Sequence, residues 1–388
     1  MTTRPAAGIK NPRVLAIATV GQSLRFQAPD AWDLLARRGF DVTYAAAPDQ
    51  WSPELALQGA FEPIRVGRDA RLSSLVSGSR DVRRLAAQHW ALIQVQSPIV
   101  AALARTSPRN CPLIYVAHGF HFHRDGGRIR NLLYGAVEWA LAGRGDALAV
   151  VCREDFDAAI TLGLHRRTLL WHLPGAGVDL DRFPATPRRP ARPLHLLFVG
   201  ELNENKAPLL VADLVHHLGA LGHDVVATIV GDGPLRDAVS ARVNALPKQL
   251  RWVPHTSSPA RLFQECDIVV APSAREGLPR TVIEAISTGR PVVARSNRGT
   301  RELLTDPVHG RLLSATAPLE HWADAVLDVA GSSARQVEAR HASVQRFGKD
   351  PFALSYGQLI DRVLTGDGRP GAVDLLDQRG SKPNVGGA

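Results

Sequence analysis

The chain predicts an α/β protein made of two doubly wound parallel sheets, and three observations carry that expectation. Short apolar segments alternate with stretches of helical spacing. The alternation breaks once, at a proline- and arginine-rich stretch, and then restarts. The 388 residues suffice for two domains, each burying its own core. In order, residues 14–20 read as a buried strand, 28–38 as a helix and 41–45 as a second strand. Residues 91–96, 113–117 and 147–151 read as three more strands. The stretch 184–193 reads as an interdomain linker. Beyond it lie strands at 194–199, 225–230, 250–253 and 268–271, with a helix at 208–221. Residues 285–294 read as a helix end, a glycine stop and another buried strand, and 352–364 has helical spacing. The expected division is a first domain over 13–186, a second over 187–366 closed by that last helix, and a disordered tail over 367–388. Ligands of such folds bind outside the carboxyl ends of the strands, so a cleft between the two domains is the expected place for a site.

Composition narrows the function class. Hydrophobic residues make up 45% of the chain, as in an ordinary globular protein. Cys111, Cys152 and Cys266 are far apart with no CxxC spacing, which predicts a reducing compartment and no disulfide framework. The first twelve residues are polar with no secretory pattern, and no apolar run approaches the ~20 residues that span a bilayer. A cytoplasmic protein is expected. The net charge of +9 is mostly arginine, spread without a block run or an aromatic-and-basic stripe. Nucleic acid is therefore not an expected partner, although a basic nucleic-acid-binding protein stays the competing class.

The most informative stretch is Arg275-Glu-Gly-Leu-Pro-Arg-Thr-Val-Ile-Glu284, set between a strand and a helix. The backbone N–H groups at that helix start have no partners within the helix and suit a diphosphate. Glu284 then lies about 7 Å further along the axis, a reach from phosphate to ribose hydroxyls. Lys206 follows the first strand of the second domain in Gly200-Glu-Leu-Asn-Glu-Asn-Lys206, and reads either as a solvated loop lysine or, beside the glutamate motif, as an ammonium able to neutralise a leaving diphosphate. Gly231-Asp-Gly-Pro234 is a tight strand-to-helix turn with a structural reading. Gly21 permits close backbone approach and Ser23 is placed to cap a helix. In His118-Gly-Phe-His-Phe-His123, His118 is the residue expected at a strand's carboxyl end facing a polar substrate, with Phe120 and Phe122 packing. Asp155-Phe-Asp157 and Asp179-Leu-Asp181 end no buried strand and are discounted as metal ligands, so no metal site is expected. Arg124, Arg128 and Arg130 flank an amphipathic segment, 129–141. It reads either as a surface for an anionic membrane or as a core helix with a solvated basic face.

These motifs, with Pro174-Gly-Ala-Gly-Val-Asp-Leu-Asp-Arg-Phe183, resemble glycosyltransferase family 4, retaining enzymes of GT-B architecture with two Rossmann-like domains facing across a cleft. The likeness runs from about residue 14 to 364, and it is nearest to a bacterial branch that builds capsule, exopolysaccharide or lipid-linked oligosaccharides. The resemblance implies a metal-independent hexosyltransferase with no cofactor. The donor is a nucleotide sugar, and the acceptor is a glycan or a polyprenyl-diphosphate-linked saccharide. It implies Glu276 at the transferred sugar, Glu284 at the ribose, and Lys206 with the Gly277 and Leu278 backbone at the diphosphate. Gly21 is expected near the donor and His118 at the reacting centre. The sequence departs from the pattern twice, with Glu201 in place of a phosphate-binding arginine and Gln94 and Gln96 in place of histidines. A uridine-linked donor is expected. A GDP-mannose-dependent transferase and a sugar-nucleotide epimerase are the alternatives, and peripheral contact with the inner membrane surface is an open expectation.

Overall fold

The computed structural model describes residues 11–27, 29–66, 72–124, 126–187, 193–254, 256, 258–331, 333–367 and 373–374. The chain divides into two compact units, Met1–Gly177 with Lys349–Ala388, and Val178–Gly348. Each unit is built on one sheet whose strands all pair in parallel.

The strands of the first unit are β1 (Arg13–Val20), β2 (Asp41–Ala47), β3 (Ala60–Pro63), β4 (Leu92–Val95), β5 (Leu113–Ala117), β6 (Ala147–Val150) and β7 (Leu169–His172). Those of the second are β8 (Leu194–Val199), β9 (Val225–Val230), β10 (Leu250–Val253), β11 (Ile268–Ala271), β12 (Val292–Arg295) and β13 (Gly310–Leu313). A two-residue strand near the carboxyl end, β14 (Val373–Asp374), joins the first sheet beside β7. The first sheet has the order β14-β7-β6-β5-β4-β1-β2-β3 and the second β10-β9-β8-β11-β12-β13. In both, the chain winds outward in one direction and then returns to wind the other way. The reversal falls between β1 and β4 in the first sheet and between β8 and β11 in the second.

The apolar runs are continuous because both faces of each sheet are covered. Along β8, Leu196 and Phe198 join one apolar layer with Val211, Leu214, Trp322 and Val326. Leu197, between them, joins the other layer with Phe263, Ile283 and Ile286. In the first unit, Leu15, Ile17, Ile93, Val95 and Tyr115 share one layer.

Three features differ from the sequence expectation. The boundary falls at Gly177, upstream of the proline- and arginine-rich stretch, because Val178, Leu180 and Phe183 are buried in the second unit's core. Of that stretch, residues 188–192 lie outside the described ones. Thr186 is held to the second unit, its oxygen accepting from Arg290 Nη2 at 2.9 Å.

The helix Lys349–Thr365 belongs to the first unit, not the second. Tyr356 donates to the Gln94 amide oxygen, Trp171 Nε1 donates to Ser355 Oγ at 3.0 Å, and Arg38 pairs with Asp361 at 2.8 Å. Composition marks a helix but not the sheet it returns to. The expected tail likewise contains β14, while its residues 368–372 and 375–388 lie outside the described ones.

Strands β3, β7 and β13 were not read from the sequence; β3 and β13 lie at sheet edges, where half-exposed positions break the apolar run.

Candidate functional site

The reversal between β8 and β11 explains how residues 70 positions apart come together. Strands β8 and β11 pair directly, with Leu197 opposite Val269, so the loops that leave their carboxyl ends are neighbours. Lys206 stands on the first loop and Glu276 on the second, and Lys206 Nζ donates to Glu276 Oε1 at 2.6 Å. Their side chains keep 26% and 15% exposure, so the pair is reachable yet partly shielded from water.

Asn205 clips the loops to each other. Its backbone oxygen accepts from Ala274 N at 2.8 Å and its Nδ2 donates to Arg275 O at 3.0 Å. Asn203 Oδ1 accepts from Lys206 N at 2.9 Å. These contacts hold the lysine backbone in place whether or not its side chain is engaged.

Ala207 completes this turn at φ 49°, in the left-handed region that an L residue with a Cβ enters at a cost of about 1–2 kcal/mol. Ala207→Gly is therefore expected to raise stability by about 1 kcal/mol, read as a higher melting temperature. An unchanged or lower melting temperature would show that the turn is unstrained.

The Gly277-Leu278-Pro279 segment leads into the helix Arg280–Ser287, where Pro279 takes the N-cap position. Glu284 is one turn inside and partly buried. Burial raises its carboxyl above the ordinary glutamate range, while the guanidinium groups of Arg280 and Arg182 pull it back down.

A small cavity at the β8–β11 edge is lined by Val199, Ala271, Ser273, Glu276, Pro279 and Thr300. Two features that support its lining were not read from sequence. Asn297 caps the helix Arg298–Leu303 through a capping box with Thr300, and its Nδ2 donates to Ser273 O at 2.9 Å, tying the β12 loop to the β11 loop. Gly299 lies against the Gly277 carbonyl, where a Cβ would come within 2.4 Å. The Asn-x-Gly-Thr string after β12 is the signal that marks both.

Gly231-Asp-Gly-Pro234 has the structural role expected of it. Gly231 (φ 136°) leaves no room for a Cβ, which would stand 1.8 Å from the Gly200 carbonyl oxygen. Leu202 N donates to Asp232 O at 3.0 Å, so this turn buttresses the loop that bears Lys206.

In the first unit, Gly21 and His118 follow β1 and β5, which are separated by β4. The two strands are roughly 10 Å apart across the sheet at ~4.8 Å per strand. Gly21 opens a short helix, Gly21–Phe26, and Ser23 lies inside that helix instead of capping one. The close approach that Gly21 permits is made by Asp49. Asp49 Oδ2 accepts from Gln22 N at 2.7 Å, and a Cβ on Gly21 would come within 2.5 Å of its Oδ1.

At the β1–β4 reversal, Thr19 N donates to Ser97 Oγ at 2.9 Å. Gln94 is engaged by Tyr356, and Gln96 is buried beside it on the same strand end. Phe120 and Phe122 stack in the core at 4.5 Å. Asp155 is buried and accepts from Phe120 N at 3.2 Å, while Asp157 pairs with Arg153 at 2.9 Å. Both carboxylates thus have structural partners. Among the described residues no group of three or more His, Cys, Asp or Glu side chains is arranged to hold a metal.

Comparison with known proteins finds a family match within the second unit. Residues 193–332 match the family described as glycosyl transferases group 1. EpsD of Bacillus subtilis (strain 168), named as a glycosyltransferase, is 30% identical over 245 residues, covering 58% of this chain and 63% of EpsD. The D-inositol 3-phosphate glycosyltransferase of Mycobacterium leprae (strain Br4923) is 30% identical over 243 residues, 55% of this chain and 54% of that protein. The UDP-Gal:alpha-D-GlcNAc-diphosphoundecaprenol alpha-1,3-galactosyltransferase of Escherichia coli is 25% identical over 244 residues, 58% of this chain and 63% of that enzyme. The matches span less than two thirds of each of these curated relatives. Among solved structures, Anabaena HepE in complex with UDP-glucose superposes with a TM-score of 0.67 at 18% identity, over 92% of this chain and all of that one. A likeness at that identity is a likeness of fold. The second unit, through residues 193–332, is a glycosyltransferase group 1 domain in a chain with the two-sheet GT-B fold.

Proposed function

We propose that the protein is a retaining glycosyltransferase that moves a sugar from a UDP-sugar to a glycan or polyprenyl-diphosphate-linked saccharide in cell-surface polysaccharide synthesis. The observation that carries this reading is the Lys206–Glu276 pair at the β8–β11 reversal, inside the segment that matches the family. The UDP-glucose in HepE supports a uridine donor, and the diphosphoundecaprenol-linked substrate in the name of the E. coli relative supports the acceptor class.

In this reading the Gly277 and Leu278 backbone and the start of the helix Arg280–Ser287 hold the diphosphate. The Glu284 carboxylate accepts from the ribose hydroxyls, and Glu276 contacts the transferred sugar. The bond from the anomeric carbon to the β-phosphate oxygen breaks, and its electron pair stays on the leaving diphosphate. Lys206 stabilises that charge, with its ammonium already aimed by Glu276. The acceptor hydroxyl attacks the same face and its proton passes to the departing phosphate oxygen, so configuration is retained without a carboxylate nucleophile. In the first unit, His118 at the carboxyl end of β5 orients a polar substrate.

The test is incubation of the full chain with UDP-sugars, with and without an undecaprenyl-diphosphate saccharide, and NMR of the product's anomeric centre. The reading expects UDP release that depends on acceptor and a product with the donor's configuration. Conversion of the sugar nucleotide without acceptor identifies an epimerase, and inversion overturns the mechanism.

A further inference from the structure

The helix Arg128–Ala142 turns to solvent a face of the kind that globular proteins bury. Ile129, Leu132 and Leu133 are 78%, 74% and 62% exposed, and Val137 and Trp139 are half exposed. At 3.6 residues per turn, Ile129, Leu132, Leu133, Ala136, Val137 and Ala140 share one side. Gly135, Glu138, Leu141 and Ala142, the buried residues, share the opposite side. The inward face is thus already packed, and the outward one gathers neighbouring exposed apolar side chains, as a docking surface does.

Charge identifies what it docks on. Arg128 and Arg130 flank the patch, and Arg124 and Arg144 lie just beyond the two helix ends, all four exposed. The helix carries one acid, Glu138, and that is turned inward onto Arg105 at 2.9 Å, with only 8% and 3% of the two side chains exposed. The outward face therefore offers apolar groups and cations alone. Trp139 sits at its margin with the Arg167 guanidinium 4.1 Å from its ring centroid, an aromatic and cation placed as at a membrane–water boundary. Two copies of this face would bring arginines against arginines with no carboxylate between them, so a second copy fits it poorly. Among the described residues no helix is long and apolar enough to cross a membrane.

We propose that this helix lies on an anionic phospholipid bilayer, with its leucines and isoleucine in the acyl boundary and its arginines on the headgroup phosphates. The inference stands on the helix and is independent of the donor-site reading.

The test is co-sedimentation of the full chain with vesicles of phosphatidylcholine alone or mixed with phosphatidylglycerol. Wild type is expected to bind the anionic vesicles and not the neutral ones. Each arginine replaced among Arg124, Arg128 and Arg144 should weaken binding about fivefold. Leu132→Glu with Leu133→Glu should weaken it at least tenfold, with an unchanged melting temperature since both side chains are exposed. The proposal is overturned if wild type stays in the supernatant with anionic vesicles, or if the leucine variant sediments as well as wild type. It is also overturned if light scattering shows a dimer that the leucine variant dissolves while vesicle binding persists.

Discussion

If the proposed sugar transfer is this protein's reaction, Lys206→Ala is expected to lower its turnover by about 10²–10³-fold, the loss that follows when one preorganised group stabilising a developing charge is removed from a shielded site. The change is specific to chemistry, because the loop does not depend on the lysine side chain. Asn205 holds it to the β11 loop through Ala274 N and Arg275 O, and Asn203 holds the lysine backbone. The variant should therefore melt close to wild type. Glu276→Ala removes the group that aims the ammonium and, in the proposed reading, the sugar contact as well, so its loss should be at least as large. Because the two act as one unit, the double variant should be little worse than the more damaged single variant. Steady-state kinetics of UDP release measures all three. Independent, multiplying losses would show that the 2.6 Å contact does not couple the residues in the working enzyme.

Glu138→Ala is expected to destabilise the first unit by about 3–5 kcal/mol, the usual result of leaving one member of a buried ion pair uncompensated. Arg105 is 3% exposed, is held by the Ala101 carbonyl as well as by Glu138, and packs over the Tyr115 ring at 4.8 Å. It has no route to water. Replacing both partners by leucine should cost much less than Glu138→Ala alone, since no stranded charge remains. Urea unfolding followed by circular dichroism compares them. A Glu138→Ala cost below about 1 kcal/mol would mean that the pair hydrates readily.

The strands that bear the site were legible because each is an apolar run closed by Gly, Pro or a polar loop, as at Ile268–Ala271 before Pro272-Ser273. The Glu276-to-Glu284 stretch was legible for a related reason: strand, polar turn and helix follow one another without interruption. What sequence could not supply is the pairing of β8 with β11, which depends on strand order and brings Lys206 to Glu276. The return of Lys349–Thr365 to the first sheet is equally non-local, since Tyr356 and Gln94 are 262 positions apart. Gly21 shows a subtler limit. A glycine at a strand end announces close approach, but not that an aspartate of its own unit makes it. The alternative readings of the segment 129–141 were inseparable by spacing. What the structure adds is the buried side: Glu138 faces Arg105, which leaves Ile129, Leu132 and Leu133 outside.

The central claim is that Lys206, Glu276 and Glu284 form one site for a nucleotide diphosphate sugar. Titration calorimetry of UDP into the full chain, with a metal chelator present, tests it most directly. The account predicts saturable one-to-one binding that weakens at least tenfold in Lys206→Ala and in Glu284→Ala. Binding should also fall as pH is lowered, beginning above the ordinary glutamate range, because burial raises the pKa of Glu284 and the ribose needs its carboxylate form. No UDP binding, or equal binding by wild type and both variants, would contradict it.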